Sequence, residues 1–425
     1  RWLPTWNVSG SWNAHEENWW APTFGKAWTY ASLKASYSLT ADRGPASNSL
    51  AVFQSFTPWR PSTSANESAI ILAALENSEL TYEKKNELNI GVALGFVDNR
   101  INVEFDWYRR NNFDLIGYTQ TMGVGGVTTK LANDATMEST GCEFTISTVN
   151  VKTKDFKWTT DWIFGWAENT ITKLDSRSQV YSLVNGVGRT EGRPIGALYS
   201  IPFAGLTEED LPTFYIDAEH TQVVGPGNYA DIYFQEYENI DYLKYEGTID
   251  PKITGSFGNT FSWKGLKLNV FFTYSFGNVL RLDNLCPVYS SDYSDLTASM
   301  KEMKNRWMVP GDENVTTIPS IPTVRQMREI DALNNAYSAY NYSTERVAKG
   351  DFIRLKELSL AYDLPKKYFE GQNAVSSFGV KLSATNLWLA YADKKLNGRD
   401  PEYYNTGGVS SPVPRQFTLT VKLGF

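Results

Sequence analysis

The chain has 425 residues and a net charge of −7 with no basic block, which argues against a nucleic-acid partner. Aromatics make up 14% of it, with 14 Trp, 24 Tyr and 22 Phe, although mean hydropathy is −0.37. A soluble core does not need so many aromatics in so polar a chain, and no stretch approaches the ~18 consecutive apolar residues of a transmembrane helix; a strand-built membrane protein stays open.

The chain starts at Arg1 inside what reads as a strand, without an initiator Met or a leader, so it is expected to be part of a longer protein. Strict apolar/polar alternation then recurs along its length. Leu88, Ile90, Val92, Leu94 and Phe96 form one face of a strand. After a tight Asp98-Asn99 turn, Ile101, Val103, Phe105 and Trp107 form another, opposed by Asn102, Glu104 and Asp106. The pattern returns in Phe156, Trp158, Trp162, Phe164 and Trp166, and again in Ile253, Phe257, Phe261 and Trp263. After a Lys264-Gly265 turn it continues in Leu266, Leu268, Val270, Phe272, Tyr274 and Phe276, with Phe271 as the exception. The C-terminus is the cleanest case: Phe417, Leu419, Val421, Leu423 and Phe425 alternate with Gln416, Thr418, Thr420, Lys422 and Gly424.

Eleven strands are predicted, at 3–14, 27–40, 80–97, 100–117, 131–149, 156–172, 250–263, 265–280, 350–364, 376–390 and 413–425. Most exceed the ~9–11 residues that cross a bilayer at a tilt. Counted back from the C-terminus, the connections alternate long and short: 391–412 and 281–349 are long, 365–375 and 264–265 short. Outer-membrane barrels sort their connections in this way, long loops outside and short turns on the periplasmic side. A soluble sandwich can alternate too, but has no reason to sort loops by side. The fold class expected is all-β: one half of a transmembrane antiparallel barrel, about eleven of some 22 strands, because single-chain bacterial barrels have even strand counts.

Several segments, taken in order, resemble the C-terminal barrel of the SusC/RagA family of TonB-linked outer-membrane proteins. They are Asn77-Ser-Glu-Leu80-Thr-Tyr82-Glu83 with Leu88-Asn89-Ile90-Gly91, Arg306-Trp307 with Pro319, the run from Gly350 through Pro365, Ala384-Thr385-Asn386-Leu387, and Gly398-Arg399-Asp400-Pro401-Glu402. The terminal Phe425 matches the aromatic end that barrel-assembly machinery reads, with Phe417, Leu419, Val421 and Leu423 in the same signal. The resemblance implies TonB-dependent import of an oligosaccharide or peptide under a SusD-like surface lipoprotein. It also implies a plug domain, a TonB-contacting segment and early strands lying outside this chain. A passive porin-like channel, and a surface adhesin or scaffold barrel, are the alternatives.

Glu104, Asp106 and Arg110 are candidates to line a substrate path or meet a plug, although polar side chains line any barrel lumen. Aromatics crowd the long loops, and Trp59, Tyr199, Tyr215, Tyr233, Tyr289, Trp307 and Tyr340 are candidates for substrate or lid contact. They are equally able to fold the loops onto one another. The two His residues, His15 and His220, read as loop residues, and no nucleophile motif or carboxylate spacing argues for an enzyme. Glu208-Glu209-Asp210 follows Thr207, which reads as a helix N-cap. No cofactor is expected; Asp292-Tyr293-Ser294-Asp295 and Asp312-Glu313 offer at most a weak calcium site. Cys142 and Cys286 form no disulfide framework, though a single bridge stays open.

Overall fold

A computed structural model describes residues 3–25, 27–45, 49–57, 68–123, 126–285, 301–365, 368, 375–404 and 414–424. Eleven long strands follow in chain order: β1 (Trp6–Trp12), β2 (Trp28–Asp42), β3 (Glu83–Phe96), β4 (Ile101–Gln120), β5 (Thr129–Lys152), β6 (Phe156–Leu174), β7 (Ile253–Trp263), β8 (Leu266–Phe276), β9 (Phe352–Asp363), β10 (Ser377–Ala392) and β11 (Gln416–Gly424). Each lies beside its sequence neighbours in one sheet, in the order in which the chain makes them. All eleven predicted strands are present, most with ends within about three residues of expectation. The Lys264-Gly265 turn holds: both residues have positive φ, 46° and 90°, as a two-residue hairpin that matches strand twist requires. The β3–β4 turn is longer than the two residues expected: Phe96 pairs with Ile101, and Val97, Asp98 and Asn99 all have positive φ, at 52°, 56° and 58°.

The chain divides into two compact units, Arg1–Phe144 with Ala167–Arg177 and Thr190–Ile195, and Thr145–Trp166 with Ser178–Arg189 and Gly196–Phe425. In the first, register carries the alternation across strands. Trp12, Leu33, Val92 and Phe105 stand in one transverse row, and Ser11, Lys34, Gly91 and Asp106 in the next. At one end of this wall the short 13–27 connection packs Trp20 against Phe24 and Trp28, and Trp28 against Phe96. A connection this rich in Trp fits an aromatic belt at a membrane–water interface.

In the second unit the rows run across six strands. Trp158, Phe261, Leu268, Leu360, Leu382 and Leu419 form one continuous apolar row. One residue away, on the opposite face, Thr159, Thr260, Asn269, Ser359, Ser383 and Thr418 form an entirely polar row. Phe271 breaks the alternation because Gly258 opposite leaves it room: a Cβ there would stand 3.1 Å from the Phe271 ring.

The apolar face is not the core. Phe417 and Leu419 are 70% and 66% exposed, far too open for the inner layer of a soluble sandwich. The largest buried apolar cluster lies in the long connections instead, where Val180, Leu183, Leu211, Phe214, Tyr229, Ala336 and Tyr340 pack together. The helix Leu333–Asn341 and the short strands Ala197–Ser200, Phe203–Leu206 and Pro212–Tyr215 frame it. Alternation reveals strands but is blind to this second core, whose apolar residues have no single period. A further hairpin, Val52–Phe56 with Ala69–Ala74, forms inside the β2–β3 connection.

Candidate functional site: the polar face and the loop body

Strand parity sets the side on which each polar candidate stands. Glu104, Asp106 and Arg110 share the polar face of β4. Arg110 lies directly opposite Glu87 and its Nε sits 3.1 Å from that carboxylate, so its charge is already engaged within the wall. Asp106 lies over Gly91, where a Cβ would collide with its carboxylate. Glu104 is opposite Ala93.

The loop aromatics separate by burial. Tyr340 is 1% exposed and Tyr199 8%; both belong to the loop core, with Phe203 edge-on to Tyr340. This corrects the expectation that these two stand free for substrate or lid contact: burying the rings is what lets long connections fold without a sheet beneath them. Tyr215 stacks on His220 at 4.8 Å. The Trp307 indole donates to Glu313 at 3.1 Å. Tyr233, 57% exposed, is the most open of the described candidates. Trp59 and Tyr289 lie outside the described residues, as do Phe425, Cys286 and the 292–295 run.

Two polar expectations resolve into loop architecture. Thr207 does not cap a helix; its Oγ1 accepts from the amides of Glu209 and Leu211, closing the hairpin between Phe203–Leu206 and Pro212–Tyr215. The third acid of that run, Asp210, is buried and accepts from Ser320 and from Gln326 Nε2, which ties the turn to the capped helix Val324–Glu329. Burial pushes its carboxyl above the ordinary aspartate range, against the opposing pull of those hydrogen bonds. Asp312 accepts from the amides of Met308 and Val309, and Glu313 from that of Gly311, so these carboxylates serve their own turn. Among the described residues no group of three or more His, Cys, Asp and Glu is placed to hold a metal. His15 donates through Nδ1 to the Ala31 carbonyl at 2.9 Å. Cys142 is a free thiol on β5.

Tertiary structure assembles a cluster whose partners the sequence did not reveal. Arg354, buried on β9, pairs with Asp400 and with Glu402 at 3.2 Å. Arg399 pairs with Asp283, and Leu396 fills an apolar niche with Leu280, Leu282 and Ala348. Nearby, Arg346 pairs with Glu302 and donates to the Asp283 carbonyl at 2.7 Å. Arg281 donates to the carbonyls of Ser343, Val184 and Tyr199, and burial pulls its guanidinium down to about 10. The 350–365 and 398–402 segments that carry the family resemblance therefore meet in space: one supplies the arginine, the other its carboxylates. The missed signal was Asp400-Pro401-Glu402, two acids on a rigid turn with no basic neighbour except Arg399.

No family model matches the sequence. The chain is 26% identical over 385 residues to TonB-dependent receptor P3 of Formosa agariphila, covering 84% of this chain and 35% of that protein. It is 26% identical to TonB-dependent receptor P26 of the same organism, covering 99% of this chain and 42% of that one. Over a 99-residue stretch, 23% of this chain and 10% of the relative, it is 33% identical to TonB-dependent receptor SusC of Bacteroides thetaiotaomicron. The structure of the RagAB peptide transporter superposes with a TM-score of 0.74 at 22% identity, covering 99% of this chain and 43% of that one. The chain thus spans roughly two fifths of the length of the proteins it matches over most of its own length. Its sheet has the fold of that transporter's wall, and its apolar face is built to meet lipid. Over nearly its whole length the chain is therefore similar to TonB-dependent receptors, and its fold is that of the outer-membrane β-barrel transporter it superposes on.

Proposed function

We propose that residues 1–425 form the C-terminal part of the barrel of a TonB-dependent importer. The plug, the TonB-contacting segment and the remaining strands, to a total of 22, belong to the rest of the full-length protein. The cargo is an oligosaccharide or a peptide too large for passive porins, and a SusD-like lipoprotein caps the loop body. The chain breaks no bond; it supplies wall, loops and part of the cargo path. One observation carries this reading: six strands present an unbroken apolar row to one side and an unbroken polar row to the other. That is a wall between hydrocarbon and water. The Formosa and Bacteroides relatives support TonB coupling, and the RagAB likeness supports a peptide as cargo.

Deletion of the full-length gene should abolish growth on one class of oligosaccharide or peptide, in a manner that dissipation of the proton-motive force reproduces. Mild-detergent purification should bring a lipoprotein with it. Uptake that persists without the proton-motive force would identify a passive channel. A deletion with no uptake defect and no lipoprotein would identify an adhesin or scaffold.

A further inference from the structure

On the polar face, three alternate strands carry a lysine in one transverse row. Lys157 of β6 stands opposite Ser262, Ser262 opposite Lys267 of β8, Lys267 opposite Ala361, and Ala361 opposite Lys381 of β10. Strands lie about 4.8 Å apart, so successive lysines are rooted roughly 10 Å apart, with a small residue between each pair. Lys422 stands on the same face two residues nearer the turns, opposite Gly379. Lys267, Lys381 and Lys422 border a common recess whose lining also holds Asn269, Ser359 and one acid, Asp363. Carboxylates do not match this charge. Lys381 has Glu357 at 3.2 Å, but among the described residues Lys157, Lys267 and Lys422 have no carboxylate within ion-pair distance. Polar lumen walls usually mix signs, as Arg110 and Glu87 do; here four amines at regular intervals face only two nearby carboxylates, Glu357 and Asp363, next to hydroxyl and amide groups able to donate to the same oxygens.

We propose that this row is a carboxylate-binding track on the cargo path, taking acidic peptides in extended form. Side chains on one side of an extended peptide recur about every 7 Å, within reach of flexible lysine stems rooted 10 Å apart. The proposal rests on the reading of the polar face as the lumen and narrows the cargo class of the importer.

The test uses cells that make the full-length protein, unaltered or as the K267Q/K422Q double variant, offered labelled decapeptides of alternating Gly-Glu or of alternating Gly-Gln. The expected result is uptake of the Gly-Glu peptide that falls about tenfold in the double variant, restored by K267R/K422R, with Gly-Gln uptake unaltered. Equal loss for both peptides, no loss for either, or import of neither overturns the proposal. Carbodiimide coupling in isolated outer membranes gives a second measurement. Amide links from Lys267 or Lys422 to the added Gly-Glu peptide support the track, whereas links only to carboxylates of the protein itself overturn it in favour of an internal contact. Lysines that no water-soluble acetylating reagent reaches would sink the lumen assignment itself, a failure separate from acetylated lysines that bind no carboxylate.

Discussion

Arg354 on β9 and Asp400, 46 residues further along the chain, form an ion pair in which the arginine side chain is only 5% exposed. It fixes the β10–β11 connection to the polar face, with Glu402 as the second partner. Replacing one member of a buried pair leaves the other desolvated and costs about 3–5 kcal/mol. R354M should fall near the low end, since Glu402 can turn to water, and should release the 394–404 segment. Limited proteolysis of the folded protein should then cut within 394–404, and R354K should protect only partly because it lacks the forked donor geometry. Unaltered protease resistance in R354M would show that Leu396 and its apolar niche hold the loop without the ion pair.

Leu419 and Thr418 are neighbours on β11 with opposite fates. L419K puts a charge on the lipid-facing row and should cost about 2–4 kcal/mol if it lies near the bilayer midplane, whereas T418K puts the same charge in water and should cost little. Urea titration of the refolded protein in lipid vesicles measures both. Equal costs for the two variants would contradict the assignment of faces.

Gly265 closes the β7–β8 hairpin at φ 90°, and an added Cβ would stand 2.6 Å from the Asp363 carbonyl oxygen. G265A therefore combines left-handed strain with a backbone clash and should destabilise by about 1–3 kcal/mol. Because the hairpin sets the register of two central strands, assembly should slow as well. The measurement is the rate at which the heat-modifiable folded band appears on gels, with G277A, at a position of similar φ beside a flexible Lys252, as the milder control.

Asp210 sets a pH dependence for the loop body. Its folded carboxyl holds a proton to higher pH than it does in the unfolded chain, because burial disfavours the charge. The native state thus binds more protons between the ordinary aspartate value and the raised one. Stability falls as pH rises through that window, and the penalty is full above the raised value. Amide exchange around 207–214 and 320–326 should slow when pH is lowered from 7 into the window, after correction for intrinsic rates. D210N should remove this dependence and match or exceed the parent in protection at pH 7. A D210N protein that exchanges faster at neutral pH would show that charge on Asp210 stabilises the turn.

By itself the sequence determined the strands, their order and the side on which each residue stands. These follow from local geometry: side chains alternate across a strand, and tight turns such as Lys264-Gly265 force the next strand to pair with the last. The resemblance to TonB-linked barrels was legible for the same reason, since the matching segments are strands and their flanking turns. The sequence could not say which loop aromatics are available. Tyr199, Tyr340 and Tyr233 look alike in one dimension, and only packing buries the first two while leaving the third open. Nor could it bring Arg354 to Asp400, or place Lys157, Lys267 and Lys381 in one row, because both depend on register summed across several strands, and a one-residue slip in any of them would move a side chain to the other face.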